Sequence, residues 1–212
     1  MACAADNAGA GALFSAYSVP MPASQSRGPV NRAAAADAIE AFLRALGLDP
    51  AAAELAGTGA RVASAFDDDL CAGYGVDAVA LLSASAVAGS TDLVFVRDIA
   101  VAVTCPHHLM PASGSCDVVF APGAMLVGVG TVARIVTELG RRLVLQEALG
   151  EEIAGAIHEA LAPRFSACRL RLSHACMIAR GERAHGTRVE TLAVRGAITG
   201  EGAAQLFGAR EP

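Results

Sequence analysis

The feature that most constrains the fold is the order of strand-like and helix-like periods in the second half of the chain. Apolar runs and two-residue alternation predict strands, and apolar residues three and four apart predict amphipathic helices. The resulting order is β-β-α-α-β-β, which predicts an α+β domain with an antiparallel sheet and helices on one face. The predicted strands are 93–103, 116–121, 168–176 and 188–195, and the predicted helices are 132–139 and 145–161. The short run 125–129 is expected to extend the sheet.

The sequence of the first half of the chain predicts two further helices. Asn31 is a plausible N-cap for a helix that Gly47 ends, and a second helix is expected from Thr58 to about Leu70. The acidic run 67–69 within it is interpreted as a solvated face rather than a metal site, because consecutive helical residues point in different directions. We therefore expect a flexible arm over 1–30, a helical segment over 31–90 and the α+β domain over 91–212.

Composition excludes several functional classes. The chain of 212 residues has a net charge of −5, no lysine and only 4% aromatic residues, which argues against a nucleic-acid-binding surface. It has no run of eighteen apolar residues and no signal-peptide pattern, so we expect no membrane contact and a cytoplasmic location. Six scattered cysteines in a chain of this size predict reduced thiols rather than a disulfide framework.

Two clusters of cysteine and histidine carry the chemistry. Cys105 and His108 have C-x-x-H spacing where a predicted strand meets a loop, and Pro106 keeps Cys105 extended. His174 and Cys176 are two apart on a predicted strand, so both are expected to project from one face. A catalytic zinc site needs three protein ligands and an open position. From spacing alone, either His174 or Cys176 could complete the site, and an ordinary core thiol remains an equal alternative for Cys176.

The other cysteines and histidines predict less. Cys116 and Cys168 fit apolar strand positions, and Cys71 fits a helix end, so all three are expected to be core or neutral residues. His158 lies among glutamates on a predicted helix and is expected to be solvated, and His185 has no assigned role.

Four motifs in order carry a family resemblance over about residues 50–200. They are "CPHHLMP", "VGVGTVARIV", "RRLVLQEAL" and "SHACMIARG". In these motifs the chain resembles the GTP cyclohydrolase I family, a match far more specific than one motif alone. The resemblance implies the tunnelling fold (T-fold), in which the sheets of several subunits join into a barrel. It also implies a homo-oligomer, with a decamer as the family expectation, and active sites at subunit contacts.

The resemblance implies a role for each matched residue. The zinc ligands would be Cys105, His108 and Cys176, which leaves His107 beside the reacting ring and His174 as the group that protonates the imidazole nitrogen. Glu147, with Gln146 beside it, would bind the ring N–H and amino group of guanine. The triphosphate would be bound by Arg134 and Arg180, by Arg61 from a neighbouring subunit, and at the positions of Gly130 and Thr131.

The implied reaction is hydrolytic opening of the guanine imidazole ring of GTP. A zinc-activated water would attack C8, formate would leave, and rearrangement would give 7,8-dihydroneopterin triphosphate. Zinc lowers the pKa of bound water, and histidines can act as acid and then base near neutral pH. A carboxylate that pairs with two guanine donors would select guanine over adenine.

The chain departs from the family pattern at a few positions, and these departures leave alternatives open. Pro106 replaces an acidic residue, Gly130 and Thr131 replace Ser-Lys, and Ser64 replaces a lysine. Two missing cations would weaken triphosphate binding by about 3–6 kcal/mol. One alternative is a divergent zinc hydrolase of a less phosphorylated or modified purine, and another is a non-catalytic zinc-bearing assembly or regulatory protein. His107, His174 and Glu147 argue against the last, because a structural zinc site needs none of them.

Overall fold

The computed structural model describes residues 26–181 and 183–208, so most of the predicted arm lies outside the described residues. Helix α1 (Arg32–Ala45) begins as predicted, because the Asn31 side chain accepts a hydrogen bond from the backbone N–H of Ala34 at 3.0 Å. Gly47 follows the helix with a φ of 80°, a left-handed conformation that glycine adopts without strain.

The second predicted helix is interrupted by a change of helical type. Helix α2 (Thr58–Ser64) continues into a π-helical turn (Ala65–Leu70). The prediction of a solvated acidic face is wrong for Asp67, whose side chain is only 14% exposed and pairs with Arg27 at 2.6 Å and with Arg32. Asp67 therefore belongs to an ion-pair cluster that joins the start of α1 to the π-helical turn.

Two short strands form a sheet of their own. After helix α3 (Ala78–Ala84), strand β1 (Ala86–Ala88) pairs antiparallel with β4 (Met125–Val127). The prediction that 125–129 extends the main sheet is therefore wrong. Residues Pro122 and Gly123 separate β4 from the preceding strand, and its partner comes from a segment too rich in small residues to place by periodicity.

The main sheet confirms the predicted α+β fold and the β-β-α-α-β-β order. Its four strands are all antiparallel and lie in the order β2-β3-β5-β6. Helix α4 (Val129–Gly140) and helix α5 (Gln146–Leu161) connect the two hairpins. The strands are β2 (Val94–Thr104), β3 (Pro111–Ala121), β5 (Phe165–His174) and β6 (Val189–Gly196).

The main core lies between this sheet and its helices. Helix α5 packs on β5 and β6, and α4 packs on β2. The predicted alternation in β5 is confirmed, since Cys168, Leu170 and Leu172 are fully buried in this core. Cys116 is buried there as well, as expected, with its Sγ 3.4 Å from that of Cys168.

One helix lies on the opposite face of the sheet and was not predicted. Helix α7 (Gly200–Phe207) buries Ala203 and Phe207 against Val119 and Ala167. Arg169 lies beneath it, stacked 4.8 Å from the Phe207 ring and hydrogen-bonded to Asp117 at 2.8 Å. None of the described helices combines the length and apolarity needed to cross a bilayer.

Candidate functional site

Two chain segments meet at one end of the main sheet. Strand β3 lies between β2 and β5, with Thr104 opposite Pro111 and Ala112 opposite His174. The turn over 105–110 and the end of β5 are therefore neighbours. This register brings together the two cysteine–histidine clusters, although they lie about seventy residues apart in the chain.

A tight turn holds Cys105 and His108 on the same side. The N–H of Cys105 donates to the carbonyl of Met110 at 3.0 Å, and the N–H of Leu109 donates to the carbonyl of Cys105 at 2.9 Å. Leu109 takes a left-handed φ of 52°, which closes the turn. As a result the Cys105 Sγ lies 3.9 Å from Nδ1 of His108.

Cys176 approaches this pair from a helix, and not from a strand as predicted. Strand β5 ends at His174, and the chain continues as the short helix α6 (Ala175–Ile178). The expectation that His174 and Cys176 project from one strand face is therefore wrong, because the backbone changes conformation between them. The turn into α6 brings the ligand atoms of Cys105, His108 and Cys176 within 4.8 Å of one another.

The three side chains fit a tetrahedral metal. Zinc bonds of about 2.3 Å to sulfur and about 2.1 Å to nitrogen separate neighbouring ligand atoms by about 3.5–3.8 Å. The separation of 3.9 Å between Cys105 Sγ and His108 Nδ1 is close to this range, and all three ligand atoms lie within 4.8 Å of one another. Two thiols with one imidazole are a donor set that soft or borderline divalent ions prefer. Cys105 and Cys176 are half-buried and His108 is exposed, so the group opens to solvent.

His174 is hydrogen-bonded to the first residue of α5. Its Nε2 lies 2.8 Å from Oε1 of Gln146. Gln146 is only 2% exposed. Its amide nitrogen donates to Leu170 O, Val189 O and Thr191 Oγ1. Sequence reasoning missed these three partners, because they become neighbours only through the β5–β6 pairing.

The other predicted site residues are placed as follows. His107 is exposed and meets the His108 ring edge to face, with centroids 6.3 Å apart. Glu147 is exposed in the first turn of α5, and Arg134 is exposed on α4. Arg180 is exposed directly after α6.

Three further predicted residues lie near helix starts. Gly130 and Thr131 belong to the first turn of α4, where Gly130 is exposed and Thr131 is half-buried. Arg61 bonds within its own segment, with Nη1 2.8 Å from Ala56 O and Nη2 2.9 Å from Thr58 Oγ1. No hydrogen bond among the described residues joins any of these three to the Cys-His-Cys group.

Cysteines and histidines outside the site behave mostly as predicted. Burial raises the pKa of the Cys71 thiol, and the hydrogen bond that Cys168 shares with Cys116, together with burial, raises the pKa of Cys168, so both stay protonated core residues. The expectation that His158 is solvated is wrong. It is half-buried on α5, with an Nδ1 that lacks a partner among the described residues.

The sheet order, the two helices between its hairpins and the Cys-His-Cys group define a T-fold protein with a candidate metal centre. A family model described as GTP cyclohydrolase I matches residues 35–207. The chain therefore belongs to the GTP cyclohydrolase I family, which is a family of hydrolases.

Two relatives that bear the enzyme's name agree with this assignment, and one solved structure shows a partial likeness. The chain is 35% identical over 173 residues to a protein named GTP cyclohydrolase 1 from Sinorhizobium fredii, covering 81% of this chain and 84% of the relative. It is 40% identical over 146 residues to one of the same name from Gloeobacter violaceus, covering 68% of each. A crystal structure of the apo form of the archaeosine synthase QueF-Like aligns with 52% of this chain and 100% of its own, at 18% identity and a TM-score of 0.44.

Proposed function

We propose that this protein is a zinc-dependent GTP cyclohydrolase I, which opens the guanine imidazole ring of GTP at C8 and releases formate. The observation that carries the proposal is the convergence of Cys105, His108 and Cys176, with His174 at the end of β5 immediately before the helix that holds Cys176. Family membership supports GTP as the substrate, since the matching relatives bear that enzyme's name.

Zinc is the metal that this donor set favours. Cys105, His108 and Cys176 supply two thiolates and an imidazole, and sites with three protein ligands are typical of catalytic zinc. When bound, zinc would supply Lewis acidity that makes water at its open position a nucleophile near neutral pH.

Two histidines would handle protons and hydrogen bonds at the ring. His174, half-buried at the end of β5 and two residues before Cys176, would give a proton to the imidazole nitrogen of the substrate as the ring opens. His107, exposed next to His108, would hydrogen-bond to the reacting ring. Neither histidine is needed to hold a structural ion, which favours an enzyme over the alternative of a non-catalytic zinc-bearing protein.

Guanine would be recognised by Glu147. This carboxylate is exposed in the first turn of α5, one residue from the buried Gln146 that contacts His174. Because α5 is anchored at Gln146, the Glu147 carboxylate starts from a fixed backbone position and could pair with the ring N–H and amino group of guanine. Adenine offers no such pair of donors, so the carboxylate would be left unsatisfied with it.

The phosphates would be bound by arginines and a helix start. Arg134 and Arg180 are exposed, and Gly130 and Thr131 lie in the first turn of α4, where backbone N–H groups favour anions. Arg61 would reach a site on a neighbouring subunit in a homo-oligomer, for which the family expectation is a decamer. Rearrangement and ring closure to 7,8-dihydroneopterin triphosphate, and a cytoplasmic location, remain predictions.

A second candidate is hydrolysis of a less phosphorylated or modified purine. It is favoured by Gly130 and Thr131, which offer no cation where the family has Ser-Lys, and Gly130 is exposed with open space around it. Ser64 at the end of α2 likewise carries no charge. The loss of two charged contacts would reduce triphosphate affinity by a few orders of magnitude.

The test is turnover of a substrate panel by zinc-loaded protein. GTP, GMP and guanosine are incubated separately, and the product is followed by pterin absorbance and fluorescence and by release of formate. We expect turnover of GTP, and a His174→Asn variant that keeps its metal but loses at least about a hundredfold in kcat. Turnover of guanosine or GMP without GTP would support the second candidate, and no turnover of any purine would contradict both.

A further inference from the structure

Gln146 has the environment of a residue that acts through another side chain. It is the first residue of α5, and its amide is buried between that helix and the β5–β6 pair. Both ends of the side-chain amide are hydrogen-bonded inside the protein, and the residue is only 2% exposed, which leaves little of this side chain to bind a substrate. Its contact with a candidate catalytic histidine therefore requires another explanation.

The partners of Gln146 decide which way its amide points. The backbone carbonyls of Leu170 and Val189, at 3.1 and 3.0 Å, can only accept hydrogen bonds, so the group that faces them must be the NH₂. A flipped amide would place its oxygen against two carbonyl oxygens. Thr191 Oγ1, at 3.1 Å, provides a third acceptor for the same nitrogen. Oε1 is thereby directed at His174.

This orientation fixes the tautomer of His174. An amide oxygen can only accept, so Nε2 of His174, at 2.8 Å, must carry a hydrogen. In the neutral ring the lone pair then lies on Nδ1. In the described part of the chain, Nε2 is the only nitrogen of this ring with a hydrogen-bond partner, so Nδ1 is the nitrogen that remains available to a substrate.

We propose that Gln146 is a positioning residue that holds the His174 ring in its Nε2–H form and in one orientation, so that Nδ1 is the ring nitrogen left to meet the purine. The inference rests on the proposed function and refines it.

The first test examines the ring itself in resting, metal-loaded protein. Two-bond ¹H–¹⁵N correlation spectra at mildly alkaline pH distinguish the two neutral tautomers, and the His174→Asn variant identifies the His174 signals by their loss. We expect the Nε2–H form alone in the wild type, and a mixture in a Gln146→Met variant, which keeps the side-chain length but removes the amide. The Nδ1–H form in the wild type would overturn the proposal, and so would an unchanged spectrum in the variant.

The second test separates positioning from substrate binding. With GTP, we expect Gln146→Met to keep its zinc and its KM within about threefold and to lose about ten- to a hundredfold in kcat, as expected for a partner that orients a catalytic side chain. A raised KM with unchanged kcat would instead indicate direct contact with the base and overturn the proposal. Lost zinc or unchanged kinetics would overturn it too.

A matched control addresses the fold. Ser166→Ala removes another buried hydrogen bond between β5 and α5, from Ser166 Oγ to Ala154 O at 2.8 Å, without contact to His174. It should lower stability and leave kcat unchanged. A comparable loss of kcat in this control would show that any damage at this interface affects turnover, which would overturn the specific role of Gln146. If wild-type protein turns over no purine, the proposed function fails, while the spectra of resting protein still decide whether Gln146 fixes the ring.

Discussion

At the scale of single residues, the site depends on a change of backbone conformation between His174 and Cys176. His174 ends β5 with extended dihedrals, φ −100° and ψ 114°, and Cys176 lies in α6. An unbroken strand would have directed both side chains to one face. The helical turn gives them separate partners, since the Cys176 thiol joins Cys105 and His108 while the His174 ring meets Gln146.

This separation predicts the behaviour of Cys176→Ser. The hydroxyl is a weaker ligand than a thiolate for a borderline-soft ion, so zinc affinity should fall by at least about a hundredfold and turnover with it. Zinc per chain, measured by elemental analysis after dialysis against a chelator, checks this. Cys71→Ala is the matched control, because that thiol is buried outside the cluster and should leave zinc content unchanged. Full zinc content in Cys176→Ser would exclude it as a ligand.

The sequence could predict only part of the residue scale. The C-x-x-H spacing of Cys105 and His108 is local, and a single turn realises it. The hydrogen-bond partners of Gln146 could not be predicted from the sequence, because its acceptors Val189 and Thr191 lie 43 and 45 residues away and are positioned by strand pairing. Local patterns carry no information about such partners.

At the scale of elements, an ion-pair cluster attaches α1 to the π-helical turn. A hydrogen bond from Arg32, with a further one from Arg27, holds the pKa of Asp67 below its ordinary value of 3.8. Because the carboxyl titrates at lower pH when folded than when unfolded, its stabilising contribution is present above about pH 4 and is lost as the pH falls through the lower, folded value.

The Asp67→Asn variant tests this contribution. We expect it to unfold at lower urea concentration than the wild type near neutral pH, and the difference to shrink in acid as Asp67 of the wild type becomes protonated. Asp68→Asn is the control, since Asp68 is half exposed and, within 26–181 and 183–208, forms an ion pair only with Arg32, so its effect should be smaller. A difference between wild type and Asp67→Asn that grew in acid would contradict the assignment.

The packing of helix α7 against the sheet leads to a second prediction about stability. Phe207 is 2% exposed, packs in the cluster with Val119 and Ala167, and stacks on Arg169. Phe207→Ala should therefore lower the free energy of unfolding by about 3–5 kcal/mol, measured by urea titration. Gln205→Ala changes an exposed residue of the same helix and should have little effect. Equal effects of the two variants would mean that α7 is not anchored through Phe207.

The elements that sequence analysis predicted are those with long, regular periods. A clear apolar pattern marks the side of each element that faces the main core. This holds for helices α4 and α5 and for strands β2, β5 and β6. Strand β4 was placed in the wrong sheet, because pairing with β1 is a contact between distant segments. Helix α7 has only two buried side chains, too few for its period to stand out.

At the scale of the whole molecule, a single chain leaves much of its apolar surface uncovered. Helix α1 has no buried residue, and Phe42 and Leu46 are each 59% exposed one turn apart. Strands β2 and β6 form the two edges of the main sheet, and open edges of this length invite pairing with another chain. Both features favour the proposed assembly of several copies.

That assembly makes a prediction about Arg61, whose side chain bonds only within its own segment among the described residues. If Arg61 belongs to the active site of a neighbouring subunit, each site takes His174 from one subunit and Arg61 from another. Arg61→Ala and His174→Asn then damage residues that different subunits contribute to the same site. Each variant alone should be nearly inactive at low GTP. Assemblies in which the two variants are co-expressed in equal amounts should recover about a quarter of wild-type activity, because random mixing gives about one site in four both intact residues.

The control pairs Cys176→Ser with His174→Asn, which damage the same chain's contribution, so that no site is restored. Recovery in the first mixture alone would place Arg61 across the subunit contact. Activity no higher than the sum of the parents would assign it to the site of its own chain.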